Sequence, residues 1–155
     1  GWVKDGSWYY LDETGVMKTG WKQVDGNWYY LNGSGAMETG WKFINGSWYH
    51  FDSLGKMGTR WIKDNGTWYY LDGSGAMQTG WKFVDGNWYY LNASGAMQTG
   101  WLNQGGTWYY LASSGAMKTG WFQVAGKWYY SYSSGALAVN TTINGYTVNA
   151  NGEWV

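Results

Sequence analysis

The sequence contains no cysteine, no proline and a single histidine. Without thiols there are no disulfides, no thiolate nucleophiles and no zinc-thiolate sites, and cysteine usage gives no reading of the redox compartment. Charge is sparse and balanced: ten Lys and Arg against ten Asp and Glu, 13% of the chain in all. A neutral chain lacks the basic footprint of a nucleic-acid or anionic-membrane binder, so nucleic acid is not an expected partner. Apolar stretches run only a few residues, far short of the roughly 20 that cross a bilayer, so no transmembrane insertion is expected. The opening GWVKDGSWYY carries no signal-peptide pattern, and the chain reads as soluble.

What the sequence has instead is rings and glycines: 15 Trp, 15 Tyr and 26 Gly in 155 residues. They are periodic. Trp21, Trp41, Trp61, Trp81, Trp101 and Trp121 fall 20 apart, and Trp8, Trp28, Trp48, Trp68, Trp88, Trp108 and Trp128 form a second comb at the same step. Met17, Met37, Met57, Met77, Met97 and Met117 keep the period, with Leu137 in the seventh position. A unit of this size cannot bury enough apolar area to offset its chain entropy, so the units must stack on one another. The expected architecture is an all-β solenoid of seven stacked hairpins over residues 1–137, followed by a closing segment over residues 138–155.

Within WKQVDGNWYYL, two aromatic and β-branched segments flank Asp25 and Gly26, a dipeptide suited to the positive φ angles of a type I′ turn. Ala125 and Gly126 are the weakest pair in that slot. With Asp25 and Gly26 as the loop, Trp21 faces Tyr30 and Gln23 faces Trp28 across the ladder. Trp21, Gln23, Trp28 and Tyr30 then share one face, and Lys22, Val24, Asn27 and Tyr29 the other. Large aromatics are ordinarily core, and for any single ring that is the simpler reading. Leu, Ile and Val would pack as well, however, and the chain has few of them. Rings set at angles form a cage for a quaternary ammonium, which donates no hydrogen bonds and is held by cation–π attraction and methyl contacts.

GWKFVDGNWYYLNASGAMQT and its sister units resemble the choline-binding, or cell-wall-binding, repeats of pneumococcal surface proteins over essentially the whole chain. The resemblance rests on the two Trp combs, the WYY and GAM triplets and the glycine turn recurring together, and the tail ALAVNTTINGYTVNANGEWV resembles a closing segment of such proteins. It implies a left-handed superhelix and binding of choline or phosphorylcholine of teichoic and lipoteichoic acid between consecutive hairpins. It further implies two Trp of one repeat, an aromatic of the next and a nearby Met at each site. The chain would then lie outside the cell, attached non-covalently to its surface. No cofactor is implied, and a homodimer through the terminal repeats is left open.

Taking the last Tyr of WYY as the third wall, the expected cages are Trp41, Trp48 and Tyr70; Trp61, Trp68 and Tyr90; Trp81, Trp88 and Tyr110; and Trp101, Trp108 and Tyr130. Tyr29, Tyr49, Tyr69, Tyr89 and Tyr109, with Val24, Ile44 and Val84, are assigned to inner packing. Met57, Met77, Met97 and Met117 lean toward cage floor. Trp21 and Trp28 would meet His50, and a protonated imidazole would repel a cation, so that site should be weak or absent. Trp2 and Trp8 are only six apart, which turns Trp2 to the wrong face and breaks a cage of Trp2, Trp8 and Tyr30 unless a bulge restores the register. Trp121 and Trp128 have only Tyr146 or Trp154 as a third wall.

Two rival functions are weaker. The acidic residues sit in or beside turns, His50 stands alone and the Ser residues lie in the links, so no triad or metal cluster is formed and catalysis is not expected. Glucan recognition also uses aromatic faces. Sugar sites add amides or carboxylates around the ring, whereas the wall-facing polar slot here varies among Gln23, Phe43, Lys63, Phe83, Asn103 and Gln123.

Overall fold

A computed structural model describes all 155 residues. Sixteen strands form eight separate two-stranded antiparallel sheets. Close contacts group them into two compact units, Gly1–Gln78 and Thr79–Val155. The first unit holds the hairpins β1 (Trp2–Asp5) with β2 (Ser7–Tyr10), β3 (Gly20–Val24) with β4 (Asn27–Leu31), β5 (Gly40–Ile44) with β6 (Ser47–Phe51), and β7 (Arg60–Asp64) with β8 (Thr67–Leu71). The second holds β9 (Gly80–Val84) with β10 (Asn87–Leu91), β11 (Gly100–Gln104) with β12 (Thr107–Leu111), β13 (Gly120–Val124) with β14 (Lys127–Ser131), and the short pair β15 (Thr141–Ile143) with β16 (Tyr146–Val148).

The turn chemistry sets the register. Asp25 and Gly26 both adopt positive φ, 51° and 81°, whose twist matches that of the flanking strands. Trp21 pairs with Tyr30 and Gln23 with Trp28, as the spacing requires. Ala125 takes the same left-handed conformation at φ 51°, a strain of about 1–2 kcal/mol for an L-residue. The first hairpin differs from the sequence expectation. Gly6 alone connects Asp5 to Ser7, so the loop shortens by one residue and Trp2 pairs with Tyr10 rather than Tyr9. The missing residue is absorbed in the turn, and Trp2 keeps the same face as Trp21.

Each link folds back on its own hairpin and then reaches the preceding one. Leu31 bridges to Met37, and the Met57 N–H, after the third hairpin, donates to the Trp28 carbonyl of the second at 2.8 Å. Asn32 closes its link by accepting from Ser34 N–H, the Ser34 hydroxyl and Ala36 N–H at 2.6–3.0 Å. Asp12 plays the same part, and the Thr14 hydroxyl, followed by the Val16 N–H, holds its carboxyl well below the ordinary carboxylate range. Gly75 supplies a close approach: a Cβ there would lie 2.4 Å from Met57 Sδ, so only glycine seats that Met side chain against the link.

The deepest core positions are ones the sequence reading did not single out. After the first hairpin, where Leu11 is half-buried, the residue that follows the WYY or WYH triplet is essentially solvent-free: Leu31, Phe51 and Leu71 in the first unit, Leu91, Leu111 and Ser131 in the second. Of the residues assigned to inner packing, Tyr29, Ile44 and Val84 are buried, while Val24, Tyr49, Tyr69, Tyr89 and Tyr109 are half-buried. Ser131 is the polar member of the set, and its buried hydroxyl has no hydrogen-bond partner. An unsatisfied buried hydroxyl costs about 1–3 kcal/mol. Ser131→Ala is therefore expected to raise stability by about 0.5–2 kcal/mol; an unchanged or lowered urea midpoint would contradict this account.

Candidate functional site

Because the two Trp of a hairpin lie two residues apart on facing strands, their indoles project from one face of the ladder, and in two hairpins they stand nearly perpendicular. Trp21 and Trp28 stand 6.4 Å apart at 83°, and Trp101 and Trp108 6.4 Å apart at 85°. The second Trp stays accessible: Trp8, Trp28, Trp48, Trp88, Trp108 and Trp128 are 40–43% exposed, so each keeps part of a ring face open to a ligand. The first Trp is wedged between two tyrosines. Trp21 packs edge-to-face on Tyr30 of its own hairpin at 5.1 Å and on Tyr49 of the next at 4.9 Å.

That second contact is made by the residue one before the expected third wall. The ring from the next hairpin is the middle Tyr of the triplet: Trp41 meets Tyr69, Trp81 meets Tyr109 and Trp101 meets Tyr129, at 4.9–5.1 Å. The expected walls Tyr70, Tyr90, Tyr110 and Tyr130 instead back Trp61, Trp81, Trp101 and Trp121 of their own hairpins at 4.8–5.1 Å. The reason is geometric. In a stack of like-oriented hairpins, the face carrying the Trp pair meets the opposite face of its successor, and that face carries the middle Tyr. Trp61 and Trp68 lie on β7 and β8 of the first unit, Tyr90 on β10 of the second.

Cavities open at these junctions. In the first unit one of about 230 Å³ is lined by Trp2, Trp8, Tyr29, Met37, Ser53 and Leu54, and one of about 390 Å³ by Trp21, Trp28, Tyr49, Met57, Gly73 and Ser74. In the second, one of about 310 Å³ is lined by Trp81, Trp88, Tyr109, Met117, Ser133 and Ser134, and one of about 330 Å³ by Trp101, Trp108, Tyr129 and Leu137 with Val139, Ala150 and Asn151. Trp121, Trp128, Tyr146 and Trp154 enclose a further 350 Å³. Met57 and Met117 thus line cavities. Met77 donates its N–H to the Trp48 carbonyl, and Met97 Sδ packs where Gly115 lacks a side chain.

Two expected weak sites are rebuilt by this geometry. With Tyr49 beside Trp21, His50 is no wall of that cavity; it packs on Trp41 of its own hairpin at 4.8 Å. With the first register restored, Trp2 meets Tyr29 at 4.9 Å, and Tyr30 is not part of that cavity. At the C-terminal end both alternatives, Tyr146 and Trp154, contribute. The link residues Ser53, Leu54, Ser74, Ser133 and Ser134 were missed by sequence reasoning, since they come from the second hairpin onward and no periodic signal ties them to a cage.

The electrostatics suit a cation without acidic help. No carboxylate lines any of the five cavities. Burial, with Asp52 and Asp25 adding, pushes the Tyr29 phenol above its ordinary 10.0 and keeps that wall neutral. One acid acts from behind: the Trp41 indole N–H donates to Asp64 Oδ2 at 3.0 Å, fixing the ring from the next hairpin. Electron-rich faces meeting near right angles around an apolar cavity attract a methylated ammonium through cation–π and dispersion contacts.

Family models match along the chain. The choline-binding repeat model covers residues 38–79, 78–120 and 99–142, and a cell wall binding repeat model covers residues 1–17 and 19–37.

The chain belongs to the choline-binding repeat family.

Among solved structures, choline binding protein F from Streptococcus pneumoniae is 55% identical over the whole chain with a TM-score of 0.97, and CbpJ from the same organism is 54% identical, also with a TM-score of 0.97. The chain spans 57% of the length of each. The modular autolysin LytC from Streptococcus pneumoniae is 29% identical over the whole chain, with a TM-score of 0.73, and the match spans 37% of that protein. Comparison with curated protein sequences gives no match. Choline-binding repeats therefore supply the all-β architecture, and no helix of the chain is long and apolar enough to cross a membrane.

An ion pair lies beside the last cavity. Lys127 on β14 bonds Glu153 at 2.9 Å, next to Trp154, whose N–H donates to the Trp128 carbonyl at 2.9 Å. The Lys127 ammonium, followed by Asn149, holds the Glu153 carboxyl below its ordinary 4.5. A lowered folded-state pKa gives stability present above the unfolded value and lost as pH falls through the folded one. Hydrogen-exchange protection of the Trp154 amide should fall as pH drops below 4.5, and Glu153→Gln should remove that dependence. Protection unchanged across this range in the wild type would contradict the link.

Proposed function

We propose that this chain is a non-catalytic anchoring module that holds its parent protein on the outside of a bacterial cell by binding phosphorylcholine groups of teichoic and lipoteichoic acid. The observation that carries the reading is the recurring cluster of two indoles on one hairpin face and the next hairpin's middle Tyr, around open cavities that no carboxylate lines. In this reading the ligand-contacting rings are Trp2, Trp8 and Tyr29; Trp21, Trp28 and Tyr49; Trp41, Trp48 and Tyr69; Trp81, Trp88 and Tyr109; Trp101, Trp108 and Tyr129; and Trp121, Trp128, Tyr146 and Trp154. Residues 1–137 carry the repeats, and residues 138–155 close the stack while furnishing the walls of the last cage. Glucan binding is less well supported, because the cavities lack the sets of amides and carboxylates that pair with sugar hydroxyls.

The repetition has an energetic purpose. A cation–π contact contributes about 0.5–2 kcal/mol, so one cage holds choline at roughly millimolar affinity after binding entropy is subtracted. Several cages on a polymer that repeats the ligand make later contacts intramolecular and raise avidity by about 10²–10⁴.

Two outcomes are expected. In a choline titration followed by the indole N–H signals of Trp81 and Trp88, Tyr109→Ala should weaken that site by about ten-fold, the worth of one good ring contact. Tyr110→Phe, which keeps the ring that backs Trp101, should leave it within two-fold; the reverse pattern would restore the last Tyr as the wall. On a tertiary-amine matrix, the Trp81→Ala and Trp88→Ala double variant should elute at a lower free choline concentration yet remain retained. Retention equal to wild type after the first Trp of several cages is replaced, with the fold intact, would refute the cage mechanism.

A further inference from the structure

The first and sixth cages differ in charge at two positions in particular. One is the residue paired with the second Trp: Lys4 opposite Trp8 in the first hairpin, Asn103 opposite Trp108 in the sixth. The other follows the first Trp of the next hairpin: Lys22 beside the first cage, Phe122 beside the sixth. In the first cage Lys4 Nζ lies 5.7 Å from the Trp8 ring centroid, and Lys22 Nζ lies 5.3 Å from that of Tyr10, the ring that backs Trp2. In the sixth, Phe122 stacks on Tyr110 at 5.3 Å, and Asn103 accepts from the Gly106 N–H within its own turn. The third hairpin's equivalent of Lys22 is Lys42, which is paired with Glu38 at 3.0 Å. Of the other charges nearby, Lys18 is paired with Asp12 at 3.2 Å, Asp5 lies on the face of β1 opposite Trp2 and Lys4, and Asp52 and Asp25 act on Tyr29, the third wall of this cage.

We infer that Lys4, supported by Lys22, makes the Trp2, Trp8 and Tyr29 cage selective for a choline that carries its own anion, phosphocholine or its phosphodiester, over choline itself. The inference rests on the ammonium-cage reading above. A trimethylammonium between Trp2 and Trp8 brings a second positive charge within several ångströms of Lys4, and two unit charges about 6 Å apart repel enough to weaken binding about three-fold at the permittivity of water. A phosphate reverses the sign: a monoester carries about −1.5 to −2 charges at pH 7, is joined to the nitrogen through only two carbons, and is drawn toward Lys4, whose Nζ lies 5.7 Å from the Trp8 ring centroid. The cage still selects the methylated nitrogen, and the lysines read what is attached to it. At the sixth cage the cation that acts on Tyr129, Lys127, is paired with Glu153 at 2.9 Å, which gives that cage no such preference.

The test is a titration of the full chain with choline chloride and with phosphocholine, following the indole N–H signals of Trp2 and Trp8 and, in the same sample, of Trp101 and Trp108. At low salt the ratio of phosphocholine to choline affinity should be about three- to ten-fold larger at the first cage than at the sixth. The excess should shrink in about 0.5 M NaCl, where charges at this spacing are screened. Lys4→Gln should shrink it without loss of choline binding, and Asn103→Lys should create it at the sixth cage. Equal ratios at the two cages, or an excess that Lys4→Gln leaves unchanged, would overturn the inference while leaving the cages standing. No choline response at Trp101 and Trp108 would overturn the cage reading and this inference together.

Discussion

A two-stranded hairpin of ten or so residues has no interior of its own, and what gives it one is the first tryptophan of the pair. Trp21 lays its edge against Tyr30 behind it and Tyr49 ahead of it, and the same arrangement recurs at Trp41, Trp81 and Trp101. Each edge-to-face pair adds about 0.5–1.5 kcal/mol beyond the area it buries. The ring that joins one hairpin to the next also lines the cavity at their junction, so cohesion and the shape of that cavity draw on one set of contacts.

The links complete what the rings begin. Carbonyl groups of the exposed second Trp, as in Trp28 and Trp88, accept the N–H of a Met carried by the following hairpin's link. The backbone of the ligand-facing residue is thus fixed while its side chain stays open. Glycines such as Gly75 leave room for the Met side chain beneath, and Asn or Asp at the head of each link folds it by accepting several N–H and O–H bonds at once. Where that residue is Ala112 or Tyr132, Ser114 and Ser134 accept a single bond at 3.4 and 3.3 Å, so the links of the second unit's later hairpins are less firmly tied.

Much of this was legible in the period. The Trp combs fix where strands begin, Asp-Gly and Asn-Gly fix the turn, and the turn fixes which residues share a face, so the Trp21 and Trp28 side of the cage follows from counting. The errors came wherever a residue's surroundings lie outside its own hairpin. Leu31 and its equivalents drew no assignment from the sequence and proved to be the core. His50 looked like a cage wall because it replaces a Tyr, yet it stands behind Trp41. A deletion between Trp2 and Trp8 looked like a lost register, and a one-residue turn at Gly6 absorbed it.

The sequence alone determined the repeat, the all-β hairpins and the pair of indoles that share a face of each hairpin, because turn chemistry and the two-residue alternation of a strand are local and depend on near neighbours only. Only the tertiary structure decided that Tyr49, Tyr69, Tyr109 and Tyr129 meet the preceding Trp, and which link serines reach the cavity. Those contacts depend on how one hairpin is laid on another. Adjacent tyrosines in WYY are chemically identical, and nothing but the front of one hairpin meeting the back of the next distinguishes them.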